Sequence, residues 1–320
     1  MRSFVFSVLC VFLIVGVAAA EVPHRDGFGG APFDRVVEMG SVRVPRTVDP
    51  AVLQRERENL HAWLMAEQVV AGLEKPISVE LKAEELEDIE FGAYREHLRT
   101  PEAQRAGLVK PVSVEFELRN VRWGATRRTF EGGRVWSGAV ASSGAFGLRV
   151  HFDNFWLPPD TELYLFNASG EVFGPYTEAG PLGTGEFWSH TVRGDVAYLQ
   201  LRQYGPAGRD KLDNTYFDVV DIGHLSGAFG VRQTQAFTKT FCSYNADCVE
   251  NVNCAEDVHT AVTEARQAVA HMQFVKRPYL YICSGGLINS YVNSGNPYFL
   301  TANHCLSRDR EAGTLEAYFD

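Results

Sequence analysis

The chain has 320 residues, 45% of them hydrophobic and 12% aromatic, enough to bury two cores of ordinary size. A formal net charge of -10 gives nucleic acid no electrostatic reason to bind. Beyond the first twenty residues no stretch is apolar enough to span a bilayer, so no membrane span is expected in the mature form.

Arg2 precedes an apolar run from Phe4 to Val17 that closes on Ala18-Ala19-Ala20. This is the layout of a signal peptide over residues 1–20, and it predicts a secreted protein, extracellular or periplasmic. Reading Cys10 as a lipidation site leaves almost no leader upstream of it. Removing residues 1–20 takes away Arg2 alone among charged residues, so the charge moves from -10 to -11.

Residues 21–46 carry Gly and Pro without periodicity and read as a loose arm. Asp49-Pro50 marks a helix start, and Leu53, Leu60, Leu64 and Val70 extend a helix to about residue 71, before Gly72. The period then becomes two in "ISVELKA" (77–83), "VSVEFELR" (112–119), "FGLRVHF" (146–152), "ELYLFN" (162–167), "EFWSHTV" (186–192) and "VAYLQLR" (196–202). Turn residues fall between these runs, which together describe an antiparallel β-sandwich. The charged stretch Glu84 to Arg105 reads as a helical or irregular insertion. Trp136, Trp156 and Trp188 are expected in the core rather than in a ligand groove. His151 and His190 are expected to have a structural or surface role rather than a catalytic one. Asn167 opens a glycosylation sequon in a turn.

Residues 203–247 are polar, hold five glycines and offer Arg232 and Lys239 as processing sites; they read as the domain boundary. Val258, Ala261, Val262, Ala265, Val269 and Met272 then predict a helix over Asp257–Met272. "YLYICSGGLIN" (279–289) and "PYFLTA" (297–302) form a hairpin across Asn293-Ser294-Gly295-Asn296. "TLEAYFD" (314–320) reads as a further strand.

Cys242, Cys248, Cys254, Cys283 and Cys305 all lie in the last quarter. In an exported chain they read as a disulfide framework, and five leaves either a free thiol or a partner beyond Asp320. The hairpin brings Cys283 near Cys305. A bridge there closes a loop of just over twenty residues, worth about 3 kcal/mol, and anchors the turn that carries His304. A general base needs such fixing, although a lone histidine ending a strand is more often structural. A zinc site from Cys283, His304 and Cys305 fits no common spacing, so no metal or other cofactor is expected.

"CSGGLIN" followed by "PYFLTANHC" resembles the segment around the catalytic histidine of trypsin-like serine proteases. "CVENVNCAED" (248–257) is similar to the cysteine-rich start of bacterial lysyl endopeptidases. The resemblance implies that His304 is the catalytic base and that Cys283 and Cys305 form the adjacent disulfide. By the same resemblance Cys248 and Cys254 are structural cysteines with partners further along; Cys242 has no counterpart. Neither a Gly-Asp-Ser-Gly-Gly motif nor a well-placed aspartate follows, since Asp309 and Asp320 come too soon after His304 and Ser307 lacks context.

The expectation is therefore a mainly β, secreted serine endopeptidase precursor, truncated after the histidine, monomeric and acting on protein or peptide substrates. Its parts are a signal peptide (1–20), an arm and helix (21–76), a β-sandwich pro-domain (77–225), a processing linker (226–247) and the first strands of a chymotrypsin-like barrel (248–320). The alternative is a secreted binding or adhesion protein with a degenerate protease segment.

Overall fold

The computed structural model describes residues 49–89, 103–206, 208–226, 265–288 and 298–319. The expected signal peptide and arm, Arg232, Lys239, Cys242, Cys248, Cys254 and the expected turn Asn293-Ser294-Gly295-Asn296 lie outside the described residues.

Asp49 caps helix α1 (Pro50–Ala66) by accepting the Ala51 amide at 2.9 Å. The helix stops at Ala66, short of Gly72, and a 3-10 turn covers Val70–Gly72. Tertiary contact sets this end. The Val69 amide donates to Ser137 Oγ, and a Cβ on Gly72 would lie 2.1 Å from the Ser137 carbonyl oxygen.

Strands β1 (Ile77–Ser78), β3 (Ala125–Arg128), β4 (Arg134–Ala141), β6 (Thr161–Phe166), β7 (Val172–Tyr176) and β10 (Val196–Gln203) form one sheet. Its order is β1-β4-β10-β6-β7, with β3 also on β4. The second sheet contains β2 (Gln104–Glu117), β5 (Gly147–Trp156), β8 (Phe187–Trp188), β9 (Val192–Arg193) and β11 (Tyr216–Leu225). It continues into β12 (Val269–Lys276), β13 (Tyr279–Ile288), β14 (Tyr298–Thr301) and β15 (Glu316–Phe319). The order is β15-β12-β13-β2-β11-β5-β8, with β14 on β13 and β9 on β5. Three short helices complete the described elements: α2 (Ala83–Glu87), α3 (Arg209–Asp213) and α4 (Asp309–Ala312).

The fold is mainly β, and the two sheets face each other. Trp136, Leu163, Leu165, Leu199 and Leu201 of the first close on Phe116, Leu148, Val150, Phe152 and Phe217 of the second. The Trp136 ring lies 4.5 Å from Phe116 and 5.9 Å from Phe217, and its Nε1 donates to the Trp123 carbonyl at 2.8 Å. Its polar edge is thus satisfied inside the core.

Three local expectations are corrected. The strand expected over 77–83 shrinks to Ile77–Ser78, while the helix Ala83–Glu87 opens the stretch expected to be helical or irregular. The cause is a capping interaction in which the Glu85 carboxylate accepts the Lys82 amide at 2.8 Å. The polar boundary stretch holds β11, which lies between β2 and β5. Its polar letters misled because Asp221 and His224, both buried, have long-range partners. The helix expected to reach Met272 is helical at 265–268 and then becomes strand β12; 257–264 lie outside the described residues. Val269 and Met272 suit either period, and pairing with β13 and β15 decides for strand.

The hairpin of β13 and β14 is antiparallel as expected. Less expected, β13 also pairs with β2 through Tyr279↔Leu108 and Leu280↔Gly107, so one sheet runs from the sandwich into the C-terminal strands.

Candidate active site

Strand β12 pairs with β13 along Tyr279–Gly286, filling one edge of β13. The other edge is shared, with β2 along Tyr279–Ile282 and β14 along Gly285–Ile288. Cys283 sits between those two partners. The glycines after it have a steric reason: a Cβ on Gly285 would lie 2.4 Å from the Phe299 ring and 2.8 Å from the Leu300 carbonyl oxygen. The Thr301 hydroxyl donates to the Ser284 carbonyl at 2.9 Å, tying the end of β14 beside Cys283.

The chain then turns sharply. The amides of Cys305 and Leu306 both donate to the Ala302 carbonyl, at 2.9 and 3.3 Å. Cys305 and Leu306 point into a cluster with Met272 and Phe274, whereas His304 is exposed. Cys283 and Cys305 are joined as a disulfide, S–S 1.95 Å, with Cα atoms 6.2 Å apart. The histidine is therefore presented to solvent from a turn held on its far side by a buried sulfur and on its near side by a strand.

Among the described residues His304 has no hydrogen-bond partner, neither a carboxylate to orient its ring nor a hydroxyl to activate. Asp309 begins α4 and Ser307 is exposed; neither is hydrogen-bonded to His304. Asp320 lies outside the described residues. Ligand atoms of Cys283, His304 and Cys305 approach within 4.8 Å of one another, but two of them are bonded sulfurs. A metal needs thiolates, so in this oxidised state the trio offers an imidazole alone.

Residues 243–320 match the family model described as lysyl endopeptidase, C-terminal domain. The matched quarter of the chain is thus similar to a protease domain. It holds the disulfide, His304 and strands β12 to β15. No curated protein and no solved structure gives a significant match to the chain.

The other polar clusters differ in kind from the lysyl-endopeptidase-like hairpin. Ser142 Oγ lies 2.8 Å from His224 Nδ1, a serine–histidine contact, but both residues are buried and no substrate can reach them. Burial lowers the His224 pKa to about 4. His190 packs flat on Phe173, bonds Tyr176 and is also lowered by burial, a structural role as expected. Asn167, 3% exposed, donates through Nδ2 to Glu171 and to the Arg193 carbonyl, so the sequon offers no free amide for a glycan. Trp136 and Trp188 are buried, while Trp156 is 40% exposed.

One cluster escaped the sequence reading. His151 Nδ1 lies 2.6 Å from Asp221 Oδ2, His151 Nε2 lies 3.2 Å from Glu186, and Arg277 closes on Asp221. The His151 ring stacks on Trp188 at 4.7 Å. His151, Glu186, Trp188 and Arg277 line a cleft of about 440 Å³ between the sandwich and the C-terminal strands, with Asp221 buried behind them. Asp221 is encoded as a single polar letter, and only its distant partners His151 and Arg277 reveal it.

Proposed function

We propose that the chain is part of an exported serine endopeptidase precursor in which His304 is the general base. The carrying observation is an exposed His304 beside the Cys283–Cys305 bridge, within the segment that matches the lysyl endopeptidase C-terminal domain. In this reading residues 1–20 direct export and 77–225 form the pro-domain. Residues 226–247 are processed near Arg232 or Lys239, and 248–320 begin the catalytic unit. Secretion fits the disulfide, which persists in oxidising compartments.

The chemistry follows from the placement. A serine hydroxyl attacks a peptide carbonyl, the His304 imidazole takes the hydroxyl proton, and the same ring returns it to the leaving amine. An aspartate on the opposite ring nitrogen fixes the tautomer, and backbone amides hold the developing oxyanion. Both serine and aspartate come, on this reading, from sequence beyond residue 320.

Expressed from its whole reading frame, the protein should hydrolyse peptides and react with a fluorophosphonate. The His304→Ala variant should keep its disulfide and lose at least about 10³-fold in kcat. A whole frame without a downstream Gly-Asp-Ser-Gly motif, or a His304→Ala variant of undiminished activity, overturns the reading. N-terminal sequencing of secreted material should find a start between about 230 and 247; intact precursor would reject the processing step.

A further inference from the structure

The seam between the sandwich and the C-terminal strands is built like an interface. Strand β2 pairs with β13, and the Val109 amide donates to the Pro278 carbonyl at 2.7 Å. Side chains from both parts share one apolar cluster: Ala106, Val109, Trp188 and Leu225 from the sandwich, with Val275, Leu280 and Ile282 from β12 and β13. Leu280, fully buried, rests against Gly107 and Gly223, where a Cβ would lie 3.0 to 3.2 Å from its side chain.

Around this cluster lie buried ions that take some of their partners from across the seam. The Glu316 carboxylate accepts the Thr191 amide at 3.0 Å and the Thr191 hydroxyl at 2.7 Å, with Arg149 at 3.7 Å. Arg149 in turn donates to the carbonyls of Ser189 and Thr314 at 2.9 and 3.0 Å. Asp221, 1% exposed, takes Arg277 from the turn between β12 and β13. Parting the seam would take these cross-seam partners from Glu316, Arg149 and Asp221 and return the apolar cluster around Leu280 to water.

We infer that the sandwich is a tightly bound partner of the C-terminal strands and stays on them after the intervening chain is cut. This rests on reading 226–247 as a processing region, and it adds that processing alone releases nothing. The bound sandwich also occupies the edge of β13 next to Cys283, and Ala103 packs with the cluster that holds Cys305. Dissociation would therefore uncover an unpaired strand edge adjoining the His304 turn.

The test uses the whole chain with a site-specific protease sequence replacing residues 233–239. After cutting, the two pieces should co-elute as one species at about 1 μM, a concentration that reports micromolar or tighter binding. Leu280→Asp should weaken association at least about 100-fold, and the isosteric Glu316→Gln about tenfold. Arg127→Ala, away from the seam, should change nothing. Hydrogen exchange gives a second readout, since the Val109 amide should stay protected after cutting. Separation of the wild-type pieces, loss of Val109 protection on cutting, or unchanged affinity in both seam variants overturns the inference. Because the cut is engineered, none of these results depends on whether a catalytic serine exists.

Discussion

The interior between the two sheets and the seam at β2 and β13 are both buried, yet they are made differently. The interior is aromatic and aliphatic, with Trp136, Phe116, Phe152, Phe155 and Phe217 in mutual ring contact. The seam surrounds a smaller apolar patch with Arg149, Glu316, Asp221 and Arg277. Apolar burial is non-directional and supplies most of the stabilisation. Buried ion pairs add little net energy because desolvation offsets their attraction, but they tolerate only one register. The contrast sets an interior held by apolar burial beside a junction whose register is fixed by buried ions around its apolar patch.

The largest expected effect lies in the interior. Trp136→Ala should cost about 4 kcal/mol in a urea titration, since it empties a fully buried site and leaves the Trp123 carbonyl without its donor. A loss below about 1 kcal/mol would mean that the sheets are not held by this core. Next comes the bridge beyond the seam. Its cysteines are 22 residues apart, so Cys283→Ser with Cys305→Ser should cost about 3 kcal/mol. The loss should appear as lost amide protection in β13 and β14 while the sandwich strands keep theirs; uniform loss would erase the distinction between the two regions.

The smallest effect is a pH dependence of the sandwich itself. Burial holds the folded pKa of His224 at about 4, below its ordinary value of about 6.5. Between those values the unfolded chain binds more protons than the native one. Stability should therefore be full above about pH 6.5 and fall as the pH drops towards about 4. Burial lowers His190 and His271 in the same direction. Urea midpoints at pH 7 and pH 4.5 measure the slope, and His224→Gln should make it shallower; an unaltered slope would place the dependence elsewhere.

The Cys283–Cys305 bridge was legible because the features around it are local. Gly285, two residues after Cys283, and a cysteine directly after His304 each act within a few residues of chain, and their spacing survives in the sequence. Asp221 and Arg277 are 56 residues apart, and Thr191 and Glu316 are 125 apart. No local pattern distinguishes such a buried polar residue from a solvated one, and so β11 does not read as a strand in the sequence. Strand β12 was misjudged for a related reason, since Ala270, Met272, Gln273, Phe274 and Val275 are all buried and leave no alternation to read.

By itself the sequence determined a β-rich chain, its main alternating strands, and a histidine beside a bridgeable cysteine at the end of a hairpin. Those follow from side-chain period and turn chemistry, which neighbours in the chain enforce. Only the tertiary structure decided that β11 is central, that β12 is a strand, and that the sandwich and the protease-like strands share a sheet. Each of those depends on which distant groups supply a buried charge or an open strand edge with its partner, and that is a property of the packed molecule.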